Sequence, residues 1–211
     1  MEAVSTKLAE KLAIIKARRN PVIFDAQDKF IFFPNHKVAQ RSITRVALAN
    51  RAIVHKGDDE SWTQKSEEVD VDYLARMVTF TVVRNPYDRV VSAFFFLQGV
   101  DKIDKEYEFI PFCHEVLAVQ GIQEYDRHFD CQSEGMYHDG KLIPQYVARF
   151  ESMQDDWKGI AKAIDGPPAL PHINMSKRQK TYADYYDPKT LDLISELYAD
   201  DIRNFSYKFE H

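Results

Sequence analysis

A chain of 211 residues, 45% hydrophobic and 13% aromatic, can bury one sizeable core, which sets the expectation of a single domain over residues 1–211. Its net charge of −5 excludes a general nucleic-acid binder. Only two cysteines occur, Cys113 and Cys131, with no Cys-x-x-Cys or Cys/His metal spacing, so two free thiols and no metal site are expected. No run approaches the roughly 18 apolar residues of a membrane span.

Taken in chain order, residues 1–20 place Leu8, Leu12 and Ile15 among Lys7, Glu10, Lys11, Lys16, Arg18 and Arg19, the pattern of a short amphipathic helix. Packing on the domain is its ordinary fate, and an anionic membrane surface or a partner is the alternative. There is no continuous signal-peptide core. Phe30-Ile31-Phe32-Phe33 then reads as a buried strand. The turn Pro34-Asn35-His36 comes next, and Lys37-Val38-Ala39-Gln40-Arg41-Ser42-Ile43 runs into a helical pattern of Val46, Ala47, Ala49 and Ile53. This strand–loop–helix layout puts a lysine and a serine where a phosphate needs them. It lacks the spaced glycines and the Gly-Lys-Ser/Thr ending of an ATP-binding loop, which speaks against an ATPase or small-molecule kinase.

Lys56 to Val71 is a charged, solvated excursion. Thr79-Phe80-Thr81-Val82-Val83 is of strand length and rich in β-branched residues, and Asn85-Pro86 is a helix start, because asparagine caps and proline has no N–H to lose. Arg84 therefore sits at the carboxyl end of a strand beside a helix N-terminus. There its forked guanidinium, free backbone N–H groups and the Ser92 hydroxyl two turns later favour a dianion. The competing interpretation makes Arg84 and Asp88 a surface pair and has Ser92 bond its own helix backbone.

Phe109 to Val119 has helical periodicity through Phe112, Val116 and Val119, Tyr146 to Phe150 is a short strand, and Asp156 to Ile164 a helix. Asp165-Gly166-Pro167-Pro168 is a loop, Ser176 to Lys180 is basic, and Asp187-Pro188 starts the last long helix, with Leu191, Ile194, Leu197 and Tyr198 on one face. Alternating strands and helices predict an α/β fold, a P-loop-like domain with a central parallel sheet flanked by helices. Ligands of such folds bind at the carboxyl ends of the strands.

At these motifs the chain resembles the sulfotransferases that use 3′-phosphoadenosine 5′-phosphosulfate, in the branch containing the Golgi carbohydrate sulfotransferases and their bacterial relatives. Lys37 through Ser42 is similar to the family's Pro-Lys-x-x-x-x-Ser loop for the 5′-phosphosulfate. Arg84 through Ser92 matches its Arg-(Asp/Asn)-Pro-(Tyr/Phe)-x-Arg-x-x-Ser motif for the 3′-phosphate. His128-Phe129-Asp130-Cys131-Gln132, Tyr146 to Glu151 with Asp155 or Asp156 beyond, Leu170 to Ser176, and Tyr198…Asp201…Phe205-Ser206-Tyr207 come in the family's order. Three departures stand out. Asn35-His36 intervene between Pro34 and Lys37, Gln40 and Arg41 replace small residues, and Cys131 replaces the usual proline.

The resemblance implies that Lys37, Val38, Ala39, Gln40, Arg41, Ser42, Arg84 and Ser92 bind the donor. The cations expected to meet this polyanion are Lys37, Arg41, Arg84 and Arg89, a local set rather than a basic surface. In this reading Lys37 carries the charge that builds on the leaving phosphate oxygen and His128 is the general base for an acceptor hydroxyl, with His36 as the alternative base. The implied acceptor is a carbohydrate or glycoconjugate. Lys177, Arg178 and Lys180 close over the donor, meet an anionic acceptor, or form a merely solvated loop. The Golgi relatives carry a membrane anchor, so a bacterial-type cytoplasmic enzyme, or one peripheral to a membrane, is expected here. The rival readings are a catalytically inactive binding module of the same fold and a nucleotide-dependent kinase.

Overall fold

The computed structural model describes residues 6, 9, 10, 13, 22–44, 48, 52–55, 71–170 and 180–210. They fall into two compact units, one of Met1–Asn35, Ala39–Val83 and Glu134–Ile173, the other of His36–Val38, Arg84–Ser133 and Asn174–His211. Most of the N-terminal amphipathic segment, most of Lys56 to Val71 and the basic stretch Ser176 to Gln179 lie outside the described residues. Among the described residues no helix is long and apolar enough to cross a membrane.

The first unit is built on a five-stranded sheet of β1 (Val22–Asp25), β2 (Phe30–Phe33), β3 (Ala52–His55), β4 (Val78–Val83) and a later strand, with a small ribbon of β5 (Tyr137–His138) and β6 (Lys141–Leu142) before it. The later strand, β7 (Tyr146–Arg149), completes the order β3-β1-β2-β4-β7. β2–β4 and β4–β7 are the parallel pairs of the expected α/β fold, with Phe32 opposite Phe80 and Val82 opposite Ala148. β1 extends the sheet antiparallel to β2, and β3 pairs antiparallel with β1, setting Ile53 opposite Phe24. Ile53 therefore lies in a strand rather than in the helix expected to run that far. Ala52–His55 is a short apolar stretch with no intrinsic period, and its pairing with β1 decides its state.

Alternation along β1 and β2 sends Val22, Phe24, Ile31 and Phe33 to one face, where they pack with Tyr73, Leu74 and Met77. On the other face Phe80 stacks on Phe32 at 4.6 Å and meets Trp157 of the Met153–Ile164 helix edge-on at 6.1 Å. Because both faces are covered, β2 is apolar throughout and the two polar residues of β4, Thr79 and Thr81, are buried.

The second unit centres on the Pro86–Gly99 helix. Asn85 caps it, its side chain accepting from the Tyr87 N–H at 3.1 Å, and Pro86 occupies the first turn. The buried side chains Val90, Val91, Phe94 and Leu97 form a core with Phe109, Phe112, Leu117, Phe129, Ile194 and Tyr198. The helix expected over Phe109 to Val119 is interrupted. Phe109–Phe112 is α-helical, Cys113–Leu117 is a π-helical turn, and Ala118–Gln120 is α-helical again. Widening one turn rotates the succeeding residues off the apolar face, which leaves Leu117 buried and Val119 75% exposed. Asp187 caps the Pro188–Leu197 helix by accepting from the Thr190 N–H at 2.7 Å, and the helical path breaks at Tyr198 before Ala199–Phe205. Cys113 and Cys131 are both free thiols.

Candidate active site

Arg84 is the first residue past β4, and its peptide groups belong to neither the strand ladder nor the helix. Buried peptide groups need partners, and Gln132 supplies both. Its Oε1 accepts from the Arg84 N–H at 2.8 Å and its Nε2 donates to the Arg84 carbonyl at 2.8 Å. Asp201 holds Gln132 in turn, accepting from its backbone N–H at 2.8 Å and from Nε2 at 3.3 Å, while its other oxygen takes the Ser133 N–H and hydroxyl, each at 2.8 Å. Gln132 and Asp201 are fully buried. The later motifs thus contain the brace for Arg84, a role that their spacing in sequence did not reveal.

The Arg84 side chain is directed by two neighbours. Its Nε donates to Asp88 Oδ2 at 2.8 Å, with Nη2 at 2.6 Å from the same oxygen, and Nη1 donates to the Lys37 carbonyl at 2.9 Å. The Arg84–Asp88 pair therefore exists, but with a buried arginine and a half-buried aspartate, their side chains 6% and 16% exposed. Ser92 does not bond its helix backbone. It is half-buried, and its hydroxyl makes no hydrogen bond among the described residues. Asp88, Ser92 and Phe96 stand at i, i+4 and i+8 of the Pro86–Gly99 helix, one stripe rising about 6 Å per step.

At the far end of the stripe Phe96 meets Lys37, His128 and, through His128, His36. The Lys37 Nζ lies 4.0 Å from the Phe96 ring centre, a cation–π contact. The His128 ring centre is 4.9 Å from that of Phe96 and 4.4 Å from that of His36. Asp126 caps the 3₁₀ turn Arg127–Phe129 by accepting from the His128 N–H at 3.0 Å, and the same oxygen lies 2.6 Å from His128 Nδ1. Lys102 Nζ is 2.8 Å from the other Asp126 oxygen. The structure thus brings both candidate bases and the candidate catalytic lysine into one cluster. Phe96 escaped the sequence reading, although the helical spacing from Asp88 through Ser92 points to it.

Arg89, expected among the cations meeting the donor, is turned inward instead. It is 1% exposed, and its guanidinium donates to the carbonyls of His128 at 3.0 Å and Asp130 at 2.5 Å. Tyr198 donates to the Phe129 carbonyl at 2.6 Å, so three successive carbonyls of the histidine turn are held.

Burial lowers the pKa of His36 to about 3, helped by His128, Arg89 and Arg127 and opposed by Asp126. Burial also lowers that of His128, Asp126 opposes the shift, and Lys37 and Lys102 add to it. Burial pushes the Asp126 carboxyl up, but hydrogen bonds from Lys102 and from the His128 backbone and ring outweigh it and hold Asp126 below the usual carboxylate range. Both imidazoles are therefore neutral at neutral pH, and Asp126 is ionised.

In the loop before this unit, Asn35 is 2% exposed and its Nδ2 donates to the Val82 carbonyl at 2.9 Å. Thr81 Oγ1 donates to the Phe33 carbonyl at 2.8 Å. The Asn35 departure is thus a tie between the carboxyl ends of β2 and β4. Lys37 and Ala39 both adopt left-handed backbone, with φ of 65° and 61°. Ala39 opens the short Gln40–Ser42 helix, its carbonyl accepting from Ser42 N–H at 2.9 Å and Ile43 N–H at 3.2 Å. Within these elements Val38 and Ser42 are buried, Gln40 is half-buried and Arg41 is exposed. Glu151 lies in the 3₁₀ turn after β7 and is exposed, while Asn174, Ser176, Lys177 and Arg178 lie outside the described residues.

No curated protein and no solved structure matches the chain. Residues 20–208 match the family model of the sulfotransferases, which spans both Arg84 and the His128 turn, and the chain belongs to the sulfotransferase family.

Proposed function

We propose that the protein transfers the sulfuryl group of 3′-phosphoadenosine 5′-phosphosulfate to a hydroxyl group of a carbohydrate. One observation carries this reading: a single helix face, Asp88–Ser92–Phe96, leads from the braced Arg84 guanidinium to a cluster of a lysine and a neutral histidine. A forked cation and a hydroxyl suit a phosphate dianion. An ammonium and an imidazole suit a transfer in which negative charge leaves on one oxygen and a proton leaves another.

In the reaction the acceptor oxygen forms a bond to sulfur, and the bond from sulfur to the bridging phosphate oxygen breaks. Such transfers are largely dissociative and are accelerated by positioning and by charge placed at the leaving oxygen. Lys37 supplies that charge. Arg84 and Ser92 hold the 3′-phosphate, and Val38, Ala39, Gln40, Arg41 and Ser42 furnish loop N–H groups and hydroxyl for the 5′-phosphate. His128 Nε2 takes the acceptor proton.

The test is ligand-dependent melting and then turnover. Adenosine 3′,5′-bisphosphate should raise the melting temperature without magnesium, and ATP far less, since stabilisation grows as RT ln(1 + [L]/Kd). Equal shifts, or a magnesium requirement, would favour a kinase. Binding of the bisphosphate with no sulfated product across a panel of glycosides would favour the inactive module.

A further inference from the structure

We propose that Asp126 is the positioning residue of the base, fixing His128 in the tautomer that leaves Nε2 free for the acceptor proton. This rests on the assignment of His128 as the base. One Asp126 oxygen faces both the His128 backbone N–H at 3.0 Å and the ring Nδ1 at 2.6 Å, which fixes ring and backbone together. An ionised carboxylate only accepts, so Nδ1 must carry the proton and Nε2 the lone pair. Free histidine has no such constraint on its tautomer.

Five further contacts support the dyad. Lys102 Nζ, at 2.8 Å, keeps the second Asp126 oxygen occupied and the carboxylate ionised. Arg89 and Tyr198 hold the backbone on which the histidine sits, through the carbonyls of His128 and Phe129. Phe96 and His36 flank the ring. The His128 side chain is 20% exposed, so it is enclosed yet not sealed. The charged and titratable groups around it are Asp126 and Arg127 on its own turn, Lys102 beyond the long helix, Arg89 within that helix, and His36 and Lys37 from the loop. Only Asp126 among them favours the imidazolium that forms as the proton arrives.

Asp126→Asn is the informative change. Lys102 holds the amide oxygen on its side, which turns the NH₂ group toward Nδ1 and favours the opposite tautomer, at the expense of the cap on the His128 N–H. Long-range proton–nitrogen NMR of the full-length protein, with His128 identified by His128→Gln, reads the tautomer without any acceptor. The expected result is Nδ1–H in the wild type and Nε2–H in Asp126→Asn. Turnover of the phosphosulfate donor with a p-nitrophenyl glycoside taken from the panel should fall about a hundredfold in both variants, with bisphosphate melting shifts unchanged. In Asp126→Asn the histidine pKa should also drop, since a carboxylate that raises it has gone.

Nε2–H in the wild type would overturn the inference. So would a flipped tautomer with undiminished turnover in Asp126→Asn while His128→Gln is impaired. Full turnover in both variants would instead remove His128 as the base, and the inference with it.

Discussion

Replacing Arg84 by alanine should destabilise the protein by about 3–5 kcal/mol, and Asp88→Ala should cost less in that background than in the wild type. The guanidinium makes two contacts to one Asp88 oxygen and one to the Lys37 carbonyl, and the paired side chains are only 6% and 16% exposed. Removing the arginine takes its cation from beside a carboxylate only 16% exposed, and the loss of that pairing dominates the cost. The contact to the Lys37 carbonyl, about 1.5–3 kcal/mol for a charged donor, shares the same side chain and does not simply add. Asp88→Ala has no Arg84 pair left to break in the Arg84→Ala protein, so its cost there should be smaller than in the wild type by about 0.5–3 kcal/mol, the coupling of residues in contact. Urea unfolding of the four proteins by circular dichroism gives the cycle. An Arg84→Ala cost under about 1 kcal/mol, or an equal cost for Asp88→Ala in both backgrounds, would refute a mutually dependent pair.

Lys37→Ala should lower turnover about a hundredfold while retaining the bisphosphate melting shift; near-wild-type turnover would assign the leaving-oxygen charge to another group, Arg41 first. Gln132→Ala leaves the Arg84 N–H and carbonyl buried without their side-chain partner, at about 1–3 kcal/mol for each group. A loss below about 1 kcal/mol in urea would contradict the brace. His36, with its pKa depressed to about 3 from 6.5, binds fewer protons folded than unfolded between those values. Stability should therefore rise with pH through that window and be lost as pH falls, at up to about 1.4 kcal/mol per pH unit. His36→Gln should flatten the slope of the urea midpoints there, and an unchanged slope would show that the imidazole is not buried as a neutral group.

What sequence alone determined was local in its physics. Phe30–Phe33 and Val78–Val83 were legible as doubly buried strands, and Asn85-Pro86 as a helix start, because strand burial patterns and capping depend on a few adjacent residues. Placing Arg84 at that junction came from the same rules, as did pairing it with Asp88 one turn on. Whether the pair would be buried did not, because burial is decided by segments far along the chain. Gln132 braces Arg84 across 48 residues and Asp201 holds Gln132 across 69, and no spacing rule connects such positions. The strand at Ala52–His55 and the π turn at Cys113–Leu117 likewise depend on partners, a sheet edge in one case and a shared core in the other. Asp126 stands two residues before His128, so that contact was within reach of a local reading. Only packing brought Lys102, His36 and Phe96 around the pair, since long-range burial and desolvation settle which ionisable groups meet and in what charge state.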